Sequence, residues 1–338
     1  MMLMRKASLI FTLTLCAAPS VCAQSFTDVP KDHFAYEAIE YLKALSTISG
    51  YADGTFRPNQ IVNRAEALKI IIAPLVKPAD IVSAGKAKSV FADVADDSWF
   101  KPFVEIARAS KIIDGPPQKN DFNGTRPVLK AEFVKMTQNA FGADAKSSFS
   151  EIRLPLSADV ANVDAWFYPY MRYGISSSML MADARELLHP EKEVTRAEAA
   201  LLLYRYMMYT QNRRTQALIS AAENEMLLVL QHLDSGNEVA AQHASARALL
   251  TTRGAHIQKA DDTAVQGVVK LAEAFRALVR AQTAQKQSQF DEAIRLAGDA
   301  WNLAARAKER SRDFADISAQ IQGIAKETAN AARDQKTP

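Results

Sequence analysis

A block of sequence recurs three times in the N-terminal half of this 338-residue chain, and such a recurrence dictates architecture before any single motif is interpreted. Phe26-Thr27-Asp28-Val29 returns as Phe91-Ala92-Asp93-Val94 and, more loosely, as Ser157-Ala158-Asp159-Val160, a period of about 65 residues. An aromatic follows each opening, at Phe34, Trp99 and Trp166. Further on, Val62-Asn63-Arg64-Ala65-Glu66 returns as Val128-Leu129-Lys130-Ala131-Glu132 and Val194-Thr195-Arg196-Ala197-Glu198. Between these blocks the first copy carries Gly50-Tyr51-Ala52-Asp53-Gly54-Thr55-Phe56-Arg57-Pro58, whose glycines suit positive φ and whose proline stiffens the exit. The second copy keeps Gly115, Phe122 and Gly124, and the third replaces the glycine-rich loop with the stretch from Met181 to Pro190.

Each unit reads as helix, loop, helix. Ala35, Ile39, Leu42 and Leu45 form one apolar stripe, and Ala67, Leu68, Ile71 and Ile72 form another. Asn63 and Thr195, each followed three residues later by glutamate, have capping-box spacing at the start of the second helix, whereas Leu129 cannot cap. Asp28, Asp93 and Asp159 precede the first helix and are expected to satisfy its free N-terminal amides. Neither helix can bury its stripe alone, so the units must pack on one another.

The Phe-x-Asp-Val opening, the Gly-x-x-Asp-Gly-Thr-Phe-x-Pro loop and the Thr-Arg-Ala-Glu closing, over residues 26–209, resemble S-layer homology (SLH) domains, normally found as three tandem copies. The resemblance implies an all-α pseudo-threefold bundle with grooves between its units that bind pyruvylated wall polysaccharide or modified peptidoglycan. It maps the binding cation of the closing motif onto Arg64, Lys130 and Arg196. A guanidinium pairs bidentately with a ketal pyruvate, while Lys130 offers only a point charge. Free amides and the dipole at a helix start are expected to help hold the anion. Asp28, Asp93, Asp159 and Gly54 belong to the same candidate site. Trp99 and Trp166 have two readings, as core residues, which is the ordinary one, and as platforms stacking on a sugar ring.

Arg5 and Lys6 precede the apolar run Leu9–Leu15 and a small-residue site at Val21-Cys22-Ala23, so residues 1–23 read as a signal peptide and the mature chain as exported to the cell envelope. Leu15 and Val21 stand where lipidation of Cys16 or Cys22 would need small residues. Both cysteines go with the leader, leaving no thiol for disulfide, catalysis or zinc. Removing Arg5 and Lys6 from 41 basic residues leaves 39 against 38 acidic ones, no global field for nucleic acid. No later stretch has the ~20 apolar residues of a transmembrane helix.

Composition divides the remainder into repeats at 24–90, 91–150 and 151–210 and a C-terminal region at 211–338 that lacks proline until Pro338 and is rich in helix formers. Breaks at Asp234–Asn237, at Gly254 with Asp261 and Asp262, and at Gln285–Ser288 give four or five helices in a bundle or helical hairpins. Ala240, Ala244 and Leu250 match Ala293, Ala297 and Leu303, a distant likeness to tetratricopeptide-type hairpins. His232, His243 and His256 lack the i, i+4 spacing of a metal pair and read as solvated surface residues. No cofactor or metal is implied. Two functions follow: non-covalent attachment to wall polysaccharide or peptidoglycan with a tail for spacing, self-association or partner recruitment, or a wall-anchored enzyme with an unfamiliar site in the tail. Helical periodicity in the tail excludes a porin.

Overall fold

A computed structural model describes residues 25–115 and 119–336; the expected signal peptide at residues 1–23, with both cysteines, lies outside them. Among the described residues the regular structure is helical, with only isolated β-bridges. The first repeat supplies α1 (Tyr36–Ala44) and α2 (Arg64–Ile72), the second α4 (Lys101–Ala109) and α5 (Lys130–Ala140), and the third α6 (Tyr168–Ser176) and α7 (Arg196–Thr210). An unforeseen helix, α3 (Pro78–Gly85), follows the first repeat, begun by a proline at a position where its missing N–H is no loss.

The second helices start at a pseudo-threefold axis. Val62 donates its amide to Val194 O at 2.9 Å, Val194 to Val128 O at 3.0 Å and Val128 to Val62 O at 3.0 Å, closing a ring of three bonds. The three valines are fully buried, contributing roughly 1.5–3 kcal/mol each by leaving water. Each helix then gives its first two amides to the loop of another repeat: Arg64 and Ala65 to Arg126 O and Gly124 O, Lys130 and Ala131 to Lys192 O and Pro190 O, Arg196 and Ala197 to Gln60 O and Pro58 O. The third amide of α2 goes to Asn63 Oδ1 and that of α7 to Thr195 Oγ1, the expected caps. In α5 Glu132 still reaches the Leu129 amide at 3.1 Å, so half the box survives. Of the α1 stripe, Ala35, Ile39 and Leu42 are buried; Leu45 lies beyond the helix end and is exposed.

The aspartates do something other than cap. Asp28 accepts from the amides of Phe56 and Arg57, Asp93 from Phe122 and Asn123, and Asp159 from Leu188 and His189, at 2.7–3.1 Å. The first helices begin several residues later without a side-chain cap. Arg57, Asn123 and His189 all have positive φ, and each carboxylate holds that turn against its own repeat. In the first loop Gly54 turns at φ +78, while Gly50 is required by space, since a Cβ there would lie 2.3 Å from Phe26.

The tail has five helices: α8 (Thr215–Asp234), α9 (Glu238–Gln258), α10 (Thr263–Lys286), α11 (Phe290–Arg310) and α12 (Ala315–Lys336). The pairs α8/α9 and α10/α11 pack as hairpins, and the matched alanines and leucines fall on α9 and α11, the second arm of each. Asp262 caps α10. Gly254 is not a break but lies inside α9, where a Cβ would fall 1.6 Å from Ser176 O of α6; its function is close docking on the third repeat. Beside it Arg247, its side chain only 1% exposed, donates to Leu156 O at 2.9 Å and pairs with Glu186 of the third loop and Glu225 of α8. His232 pairs with the same Glu186 and His243 is buried, so the solvated reading fails for both because the hairpin is pressed onto the third repeat. Burial lowers the pKa of His243.

Gly254→Ala is therefore expected to destabilise the full chain by about 1–3 kcal/mol, the usual range for overpacking, seen as a lower urea midpoint at unchanged slope. An unchanged midpoint would show that α9 does not dock on Ser176.

Candidate functional site

Three equivalent seams result, each with a cation at the first position of a second helix facing another repeat's loop. At the first, Arg64 donates Nε to Phe122 O at 3.1 Å, its guanidinium lies 5.2 Å from the Phe122 ring, and its side chain is 12% exposed. Nη1 lies 3.9 Å from Met136 Sδ and 4.0 Å from the Glu132 carboxylate. Burial lowers the pKa of Arg64, an effect the Glu132 charge opposes. Glu132 is held below the ordinary carboxylate range: burial raises it, but hydrogen bonds from Arg126, at 2.5 and 2.8 Å, and from the Leu129 amide outweigh that. Around Arg64 opens a groove of about 460 Å³ edged by Asp114, Lys119, Lys135 and Trp166, so residues of all three repeats line it.

At a second seam Arg196 donates Nε to Phe56 O at 2.8 Å and Nη2 to Ser49 O at 3.0 Å. It lies 4.5 Å from the Phe56 ring and 5.2 Å from Tyr51, which Arg57 covers at 3.8 Å. Lys69 and Trp99, 5.7 Å apart, stand in the relation to this seam that Lys135 and Trp166 have to the first. At the third seam Lys130 makes no side-chain hydrogen bond among the described residues, and Leu188 occupies the place of Phe56 and Phe122. Burial lowers the pKa of Lys130 against the opposing charge of Glu198. The altered third loop nevertheless folds: Asp183 accepts from the Arg185 and Leu187 amides, and Glu186 takes φ +60 where the first copy has Gly54.

Two expectations are corrected. Trp99 and Trp166 are each 54% exposed rather than core, because the following Phe100 and Phe167 turn inward and the indoles rest edge-on against them. The starts of α2 and α7 also offer an anion none of their first three amides, which neighbouring loops and their own caps take, and α5 gives its first two to the third loop. Charge and the exposed side-chain edges are what remains. Asp28, Asp93, Asp159 and Gly54 shape the loops behind the grooves. The residues overlooked were Asp114, Lys119 and Lys135 and, on the Arg196 side, Tyr51 and Lys69; Lys69 and Lys135 share one register in the repeat, a signal an alignment of the copies contains.

Residues 25–68, 90–134 and 158–200 match the S-layer homology domain, so the chain carries three tandem SLH domains. Among curated proteins it is 27% identical to an S-layer protein of Bacillus thuringiensis subsp. finitimus over 54% of this chain and 21% of that protein. It is 26% identical to a cellulosome-anchoring protein of Acetivibrio thermocellus over 54% and 38%. An amylopullulanase of Thermoanaerobacterium thermosulfurigenes is 24% identical over 54% of this chain and 9% of its own length. The chain thus spans well under half of these relatives.

Burial raises the Asp159 carboxyl, but bonds from the Ser157 hydroxyl and the Leu188 and His189 amides hold it below the ordinary range. A depressed folded pKa stabilises above the unfolded value of ~4, and that stabilisation is lost as pH falls below it. Melting temperature should therefore drop as pH falls below about 4, and Asp159→Asn should flatten the drop while lowering stability at pH 6. A variant with the wild-type pH slope would contradict the loop clamp.

Proposed function

We propose that this protein is held at the cell surface by binding an acidic wall glycan, a pyruvylated secondary polymer or modified peptidoglycan, in the seams between its SLH domains. It acts by attachment rather than catalysis. The observation that carries this reading is the Arg64 groove: a guanidinium with its Nε fixed on Phe122 O and its Nη1 4.0 Å from Glu132, beside Lys119, a Lys135 paired with Asp114 at 3.4 Å, and an exposed indole suited to a sugar face. The names of the S-layer and cellulosome-anchoring relatives support surface attachment, and no helix among the described residues is long and apolar enough to cross a membrane. Sharing 9% of an amylopullulanase brings none of that protein's activity with it. The tail, docked through Gly254 and Arg247, presents its remaining faces for spacing, self-association or recruitment.

The seams rank by what each cation has left to offer. Arg64 has no oxygen acceptor within hydrogen-bond distance of its terminal nitrogens among the described residues, only Met136 Sδ at 3.9 Å and Glu132 at 4.0 Å, whereas Arg196 has already given Nη2 to Ser49 and Lys130 has no fork. Arg64→Gln is expected to weaken binding to isolated sacculi roughly ten- to a hundredfold, the worth of one charge-assisted contact. Arg196→Gln should cost less and Lys130→Gln least, with sedimentation isotherms measured on variants of unchanged melting temperature. Normal binding by a folded Arg64→Gln would overturn the assignment.

A further inference from the structure

The tail carries a basic groove that wall attachment does not use. On the face where α9 and α11 flank α10, a cavity of about 400 Å³ is lined by Arg253, Arg276, Arg280 and Arg306, with aliphatic walls at Leu249 and Leu296. It continues into a second hollow of about 220 Å³ that shares Arg276, Arg280 and Leu296 and adds Gln242, Thr283, Gln287 and Gln289. Two of the arginines are already balanced: Arg253 pairs with Glu273 at 3.0 Å and Arg280 lies 3.6 Å from Glu292. The other two are not. Arg276 is half-buried and its side chain donates only to the Ser245 hydroxyl, at 3.2 Å, and among the described residues neither it nor Arg306 has a carboxylate within 4 Å. Asp299, the remaining acid of the lining, is engaged by Arg295 at 2.8 Å.

A guanidinium partly withdrawn from water without a counter-charge is an electrostatic cost that an incoming anion would offset. Burial, and then the Arg280 charge, lower the pKa of Arg276 to about 10. The chemistry of the walls selects among anions. No aromatic ring lines either hollow, unlike the Arg64 groove with Trp166, so nothing offers a sugar a stacking face. Aliphatic walls beside an arginine rim instead match a chain alternating acidic and aliphatic side chains. The side-chain amides of Gln242, Gln287 and Gln289 can bond to a peptide backbone, and the planar fork suits carboxylates.

We propose that this groove is a docking site for an acidic, leucine-containing peptide segment of a partner protein, with Arg276 and Arg306 as its carboxylate-binding residues. The test uses the full mature chain and a fluorescein-labelled peptide of alternating glutamate and leucine, read by anisotropy, with the glutamine version of that peptide and labelled polygalacturonate as comparators. Saturable binding of the acidic peptide, and not of its glutamine version, is expected, weakening as salt is raised, and polygalacturonate taken up by the SLH seams should not displace the peptide. Arg276→Gln and Arg306→Gln should each reduce affinity about tenfold, the lower end for a charge-assisted contact, while exposed Lys326→Gln on α12 leaves it unchanged. Arg306 is exposed, so its variant stays informative even if Arg276→Gln fails to fold. Absence of saturable peptide binding, equal binding by a folded Arg306→Gln variant, or polygalacturonate binding that Arg306→Gln weakens as much as it weakens peptide binding would each overturn the proposal.

Discussion

The fold depends on a cyclic exchange of backbone hydrogen bonds among the three repeats. Each seam has three: one closing the valine ring, and two from a helix start to another repeat's loop. Helix N-termini leave amides without intrahelical partners, and here those amides become the joints between domains. No repeat satisfies its own second helix, so the repeats need one another for hydrogen bonding as well as for burying their apolar stripes. The exchange also sets what the seams can bind. Because the first two amides of every second helix are taken, and the third as well in α2 and α7, side chains are left to recognise an anion, and the one emerging at each joint is Arg64, Lys130 or Arg196.

The loops that supply the acceptor carbonyls hold their shape by the aspartate clamp, which spans about 30 residues of sequence in every copy. The third copy shows how the same backbone can be put to another use. Its loop keeps the clamp and the turn, but Glu186 stands at positive φ where the first copy has glycine, and its carboxylate is gripped by His232 and Arg247 of the tail. A side chain that would burden a free loop is there to make an interdomain contact. The seam that faces this loop is also the one with lysine in place of arginine.

Local signals in the sequence translated directly into structure. The caps at Asn63 and Thr195, the Ala67–Ile72 stripe and the hairpin breaks at Asp234–Asn237 and Gln285–Ser288 all depend on residues within a few positions of one another. The threefold arrangement was legible only through the family resemblance. What the residues hid was long-range. Asp28 looks like a helix cap because its true partners, the Phe56 and Arg57 amides, lie 28 and 29 residues on. Gly254 looks like a break because its neighbour, Ser176, belongs to another domain. Trp99 looks like core because hydropathy cannot tell which of two adjacent aromatics, Trp99 or Phe100, turns inward.

Together these constraints give a hydrogen-bonded ring of three domains presenting cationic seams, two of them with guanidinium forks, and a helical tail fastened to its third member. The central claim is that the seams recognise a carboxylate carried on wall glycan. Its most direct measurement is the binding isotherm of the full chain on isolated sacculi before and after mild acid removal of ketal-linked pyruvate, with the secondary polymer itself left in place. The account predicts saturable binding to native sacculi and a loss of at least tenfold in affinity after the carboxylate is removed. Undiminished binding to pyruvate-free sacculi would contradict it.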